Sequence, residues 1–70
     1  MKSGRYRHYK GNEYIVLGVA KHSETLEELV VYQQDYGERG LWVRPKEMFQ
    51  ESIEVDGRQM ARFEFIAEEG

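Results

Sequence analysis

Turn-forming residues interrupt this chain about every ten residues, and that spacing governs what it can fold into. Lys10-Gly11-Asn12, Ser23-Glu24-Thr25-Leu26-Glu27, Asp35-Tyr36-Gly37-Glu38-Arg39-Gly40, Pro45 and Asp56-Gly57 cut it into short segments. No segment has the length and 3.6-residue periodicity of a substantial helix, and most are β-branched or aromatic with two-residue alternation. An all-β fold is the expectation.

Arg5-Tyr6-Arg7-His8-Tyr9 alternates and reads as a short first strand or arm. The run from Glu13 to His22 is too continuous to show one clean face, and its central Gly18 predicts a bulge or bend that switches which residues face inward. Ser23 or Thr25 could cap a helix, but the β-branched run from Glu28 to Gln34 favours a loop followed by a strand. In Leu41-Trp42-Val43-Arg44 the alternation assigns Leu41 and Val43 to the buried face and Trp42 and Arg44 to the other. Pro45 ends this strand and opens a single helical turn through Lys46, Glu47, Met48 and Phe49, with Met48 and Phe49 turned inward. Ser52 to Val55 and Arg58 to Ile66 then pair across Asp56-Gly57, the strongest hairpin signal in the chain. Five to six short antiparallel strands with one helical turn predict a small SH3-like β-barrel or roll, one domain over residues 1–70 with 1–4 and 67–70 frayed.

At 70 residues such a domain has a thin core, burying only about 60% of its unfolded surface. The absence of cysteine excludes a disulfide framework, a thiolate nucleophile and a cysteine zinc site, and it suits a reducing compartment. No apolar run approaches the roughly 20 residues that span a bilayer, and the first residues have no signal-peptide pattern. A cytoplasmic protein with no membrane partner is expected. The net charge of −3 argues against indiscriminate nucleic-acid binding. Lys2, Arg5, Arg7 and Lys10 nevertheless gather at one end of the chain, and Glu47, Glu51, Glu54, Asp56, Glu64, Glu68 and Glu69 at the other. Either the basic end forms a small anion patch or, the preferred reading, the two ends lie side by side in one sheet and neutralise each other.

Tyr6-Arg7-His8-Tyr9-Lys10-Gly11, Val16-Leu17-Gly18, His22-Ser23-Glu24-Thr25, Val30-Val31-Tyr32, Tyr36-Gly37 and Gly40-Leu41-Trp42-Val43-Arg44-Pro45 with Met48-Phe49 carry a resemblance. Together they resemble a family of small bacterial proteins catalogued as domain of unknown function 1653. The resemblance runs from about Tyr6 to Phe63 and implies an SH3-like β-roll and a stand-alone protein. It implies no activity.

The candidate ligand-binding residues are His8, His22, Tyr32, Tyr36, Trp42 and Arg44, with Tyr6 beside them. Aromatic faces next to a guanidinium suit a planar ring with an attached phosphate or carboxylate. The competing reading is that these rings cover the edge of the thin core, with Arg44 stacked on Trp42 or paired with a Glu. His8, His22 and Glu24 raise the idea of a two-His-one-carboxylate metal site, but the two histidines come from different segments, and structural roles are preferred. Ser23 is the one serine placed to be a nucleophile, and adjacency to His22 gives the wrong geometry for a triad. Gly37 and Gly40 lack the Lys-Ser/Thr and helix of a phosphate loop. No catalytic residue, metal or cofactor is assigned. The favoured function is a binding module for a nucleotide, a short nucleic acid or a peptide. The alternatives are a small enzyme using His/Glu acid-base or metal chemistry, and an accessory protein that docks on a larger partner or dimerises through exposed strand edges.

Overall fold

The computed structural model describes residues 1–68, so Glu69 and Gly70 of the expected frayed tail lie outside the described residues. Seven strands and one helical turn follow one another as β1 (Gly4–His8), β2 (Glu13–Lys21), β3 (Glu28–Gln34), β4 (Leu41–Pro45), α1 (Lys46–Phe49), β5 (Ser52–Val55), β6 (Arg58–Ala61) and β7 (Phe63–Ala67). Five strands form one antiparallel sheet in the order β4-β3-β2-β1-β7, and β5 and β6 form a separate hairpin. The protein is all-β with a single helical turn, as the turn spacing predicts. Among the described residues the sheet stays open and closes no barrel. The last predicted strand is also two, broken at Arg62, which links the two sheets: its N–H donates to Glu51 O, one pair beyond the β5–β6 ladder, and its carbonyl accepts from Tyr9 N–H just past β1, both at 3.0 Å.

The inner face of the large sheet holds the core of Tyr6, Val16, Val30, Tyr32, Phe49 and Phe63, with Tyr14 and Phe65 packed against it. Its centre is a parallel stack of Phe49 on Phe63, with centroids 4.1 Å apart. Tyr6 meets Phe49 and Phe65 edge-on at 5.4 Å. Each buried ring of this kind contributes about 1.5–3 kcal/mol through burial, and each pairing roughly a further 0.5–1.5 kcal/mol. The helical turn carries Phe49 in to 1% exposure while Met48 stays 46% exposed, which corrects the expectation that both turn inward. Neighbours on a helix point about 100° apart, so one four-residue turn cannot aim both at the same core.

A second correction concerns β4. Leu41 and Val43, expected on the buried face, are 65% and 59% exposed. The register sets Trp42 opposite Tyr32 and Arg44 opposite Val30, both of them core residues. Residues facing each other across an antiparallel pair share a face, so Trp42 and Arg44 lie on the inner side. Alternation reveals that a strand has two faces, but only its neighbour decides which is buried.

The break predicted near Gly18 falls at Leu17, where the β2–β3 pairing shifts between Val16 and Gly18. The two chain ends do lie side by side, with Arg7 opposite Glu64 across β1 and β7. Further charge is cancelled within the sheet. Arg5 pairs with Glu13 at 3.2 Å and with Asp35, and Arg7 reaches Glu13 at 3.3 Å.

Candidate functional site

At the β3–β4 end the core rings give way to an open hollow of about 260 Å³, lined by Tyr14, Tyr32, Gln34, Tyr36, Trp42 and Arg44. Its shape follows from local sequence. Tyr14 and Gln34 face each other across β2 and β3, and Tyr32 faces Trp42 across β3 and β4. The turn between β3 and β4 folds back through positive φ at Gly37 and Arg39, which puts Tyr36 beside Tyr14. At Gly40 a Cβ would lie 3.2 Å from Gln34 Oε1 and 3.5 Å from Trp42 Nε1, so glycine gives the amide and the indole edge their room. Gly40 N–H donates to Gln34 Oε1 at 3.2 Å, and Gln34 N–H returns a bond to Gly40 O at 3.0 Å.

The wall of the hollow is an aromatic cluster joined by one phenol pair. Tyr14 packs edge-on against Tyr32, Tyr36 and Phe63 at 5.4, 5.6 and 5.6 Å. The Tyr14 and Tyr36 hydroxyls meet at 2.9 Å. Burial first, and then this hydrogen bond, push the Tyr14 hydroxyl up to about 12. The same bond, the largest cause, pulls Tyr36 below its ordinary value.

Across the hollow, Arg44 places its guanidinium over the Phe63 ring at 5.6 Å, a cation–π contact. Among the described residues no carboxylate comes within ion-pair distance of it. His8 meets the same Phe63 ring edge-on at 4.9 Å, and its Nδ1 accepts from Lys10 N–H at 3.2 Å. Burial, followed by the nearby charges of Arg44, Arg62 and Lys10, holds His8 below its ordinary range. At neutral pH this region therefore presents a neutral imidazole among cations. Trp42 keeps 53% of its surface exposed at the rim.

Four of the six sequence-predicted residues thus line the hollow, Tyr32, Tyr36, Trp42 and Arg44, and His8 adjoins it through the shared Phe63 ring. His22 does neither. It sits in the β2–β3 turn, one step beyond the Lys21–Glu28 pair, and is not among the residues that line the hollow. Its Nδ1 accepts from the N–H groups of Glu24 and Thr25 at 3.1 and 3.4 Å, organising its own turn. Tyr6 is a core residue whose hydroxyl donates to Lys2 O at 2.6 Å. Tyr14 and Gln34 are lining residues that sequence reading missed, because only the pairing register sets them beside Tyr32 and Trp42.

A larger hollow of about 470 Å³ lies against Arg7, His8, Tyr9, Gln59, Met60, Ala61 and Glu64. Its opposite charges, Arg7 and Glu64, face each other, so it offers an anion less than the Arg44 hollow does. Among the described residues no group of three or more His, Asp or Glu side chains is arranged to hold a metal ion. Among the described residues no helix is long and apolar enough to cross a membrane.

Fold and site together define a small open antiparallel sheet with an aromatic and guanidinium hollow on its inner face. Residues 4–65 match the family described as protein of unknown function (DUF1653), and the chain belongs to that family. It is also similar to the crystal structure of a protein of the same family from Bordetella bronchiseptica, with a TM-score of 0.90 and 32% identity over 100% of this chain and 92% of that one. Among curated proteins, none matches this chain.

Proposed function

We propose that the protein is a small binding module for a ligand that joins a planar ring to an anionic group, a nucleotide or the exposed nucleotide of a short nucleic acid. The observation that carries this reading is Arg44, placed over the Phe63 ring with no carboxylate partner among the described residues, on the same strand face as the exposed ring of Trp42. A base stacked on Trp42 would gain about 1–3 kcal/mol. The guanidinium offers paired donors that fit phosphate or carboxylate oxygens. Gln34 and Tyr36 supply hydrogen-bonding groups at the wall, where a ring edge could be read. The bent sheet, the single helical turn before a late hairpin and an inner-face ligand hollow also support an SH3-like roll as the underlying design.

An anion bound near Arg44 offsets the cations that depress His8, so binding raises the His8 pKa and strengthens as pH falls through the histidine range. The enzyme alternative built on His8, His22 and Glu24 gains no support from the separation of His8 and His22 along the sheet.

The test is a titration of labelled protein with nucleoside monophosphates and short single-stranded oligonucleotides, followed at the Trp42 indole N–H. Saturable shifts at Trp42 and Arg44 are expected, with at least a tenfold loss of affinity in Arg44→Ala and an unchanged fold. Full affinity in Arg44→Ala, or an unmoved Trp42 signal with every ligand, overturns the reading.

A further inference from the structure

β4 is an outer strand of the large sheet, and its backbone is poised to accept another strand. Gln34 N–H donates to Gly40 O at 3.0 Å, while Asp35 N–H donates to Glu13 O at 3.1 Å on the opposite side. In β3, then, even-numbered residues bond towards β4 and odd-numbered ones towards β2. Through the register, Trp42 and Arg44 are the β4 residues bonded to β3. The N–H and C=O groups of Leu41 and Val43 consequently point outward along the bare edge. The side chains there are unprotected as well, with Leu41, Trp42 and Val43 all more than half exposed.

The other edge of the sheet is guarded. β7 carries Glu64 as its second residue, Glu68 follows its end, and its pairing with β1 is interrupted by a register shift at Arg5 and Tyr6. Charges and irregular pairing are the usual protections against strand addition, and β4 has neither in its first three residues.

We propose that two copies of this chain pair through β4, antiparallel about a two-fold axis at Val43. The sequence of β4 is complementary to itself in that register. Val43 faces Val43 of the second copy, and each donates to the other's carbonyl. Leu41 faces Pro45, whose carbonyl accepts from Leu41 N–H, and the donor that Pro45 lacks is the only one missing from the pairing. On the inner face Trp42 of each copy lies opposite Arg44 of the second copy, a favourable cross-strand cation–π pair made twice. On the outer face Leu41, Val43 and Pro45 form one apolar stripe across the junction. The two hollows then abut, and the second copy contributes its Arg44 to the rim beside Trp42. This pairing stands independently of the nucleotide reading. An extended segment of an unrelated protein could use the same edge, but its sequence would not have to match β4, whereas here the two facing β4 strands match in hydrogen bonding, apolar stripe and ring-to-cation pairing.

The test is the mass of the purified chain by sedimentation across a concentration series, with amide hydrogen exchange at the two ends of that series. The expected result is a particle of twice the 8.3 kDa chain mass. Leu41 and Val43 amides should be protected at high concentration and exchange rapidly on dilution. Val43→Lys, which sets two ammonium groups face to face, should raise the dimer dissociation constant at least a hundredfold. Val43→Pro removes an N–H that bonds nothing within the chain and should do the same. Trp42 fluorescence and far-UV circular dichroism report whether each variant is folded. A wild-type chain that stays monomeric to millimolar concentration, or a dimer left intact in both folded variants with Leu41 and Val43 exchanging freely, overturns the proposal.

Discussion

The two faces of the large sheet are built differently. The inner face is aromatic, and its rings hold one another through edge-on and stacked contacts around Phe49 and Phe63. The outer face is mixed: Arg5, Arg7 and Glu13 form ion pairs at one end, and in the rest Ile15, Leu29 and Val31 are half-buried while Leu17, Leu41 and Val43 are exposed. A thin domain has one layer of helix or hairpin to spend as cover, and here it lies over the rings. Fold stability therefore resides on the inner face, and the outer face and its edge remain available for other uses.

Phe49→Ala should break the inner face most severely, at about 3–5 kcal/mol for a buried aromatic truncation. That is comparable to the whole stability of a domain this size, roughly 0.05–0.15 kcal/mol per residue. Urea unfolding with a loss below about 1 kcal/mol would show that the stack is not the centre of the core. The second prediction concerns the phenol pair. Tyr14 keeps its proton up to about 12 in the folded protein, while an unfolded tyrosine ionises near 10. The folded state therefore binds the extra proton, so its contribution to stability is present below about pH 10 and is lost as pH rises through about 12. Absorbance at the phenolate band should show Tyr36 ionising first and Tyr14 last. Tyr14→Phe should remove the late step, and its persistence in that variant would reassign it. Smallest of all should be Leu17→Ser on the outer face, within about 0.5–1 kcal/mol, because an exposed side chain off the core loses little. A large loss there would mean the outer face carries more of the fold than its exposure implies.

What the sequence made legible was the chemistry that acts locally. Asp56 and Gly57 take φ of 50° and 78°, the left-handed pair that a two-residue hairpin demands and that these residue types tolerate. Pro45 ends its strand and one helical turn follows, as its fixed φ and missing donor require. What stayed hidden depended on pairing between distant segments. Which face of Leu41 to Arg44 is buried is set by Tyr32 and Val30 on another strand. His8 and His22 look alike as isolated residues, yet register carries one to Phe63 and the other to the far turn. Tyr14 and Gln34 escaped notice for the same reason.

The extra residue at Leu17 acts on β2 as a change of parity. Before it, even-numbered Val16 faces the core opposite Tyr32; after it, odd-numbered Val19 stands opposite Val30. The strand is thus two segments of opposite phase joined at one residue, and their lengths are inherited separately. A residue gained or lost in the His22 turn would be absorbed at that end, leaving the Tyr14 segment in phase with its neighbours. Deleting Leu17 alone would turn the bulge into a regular ladder, with Val16 and Gly18 facing Tyr32 and Val31 in succession, so every core-facing side chain would keep its face and only the local bend and twist would be lost.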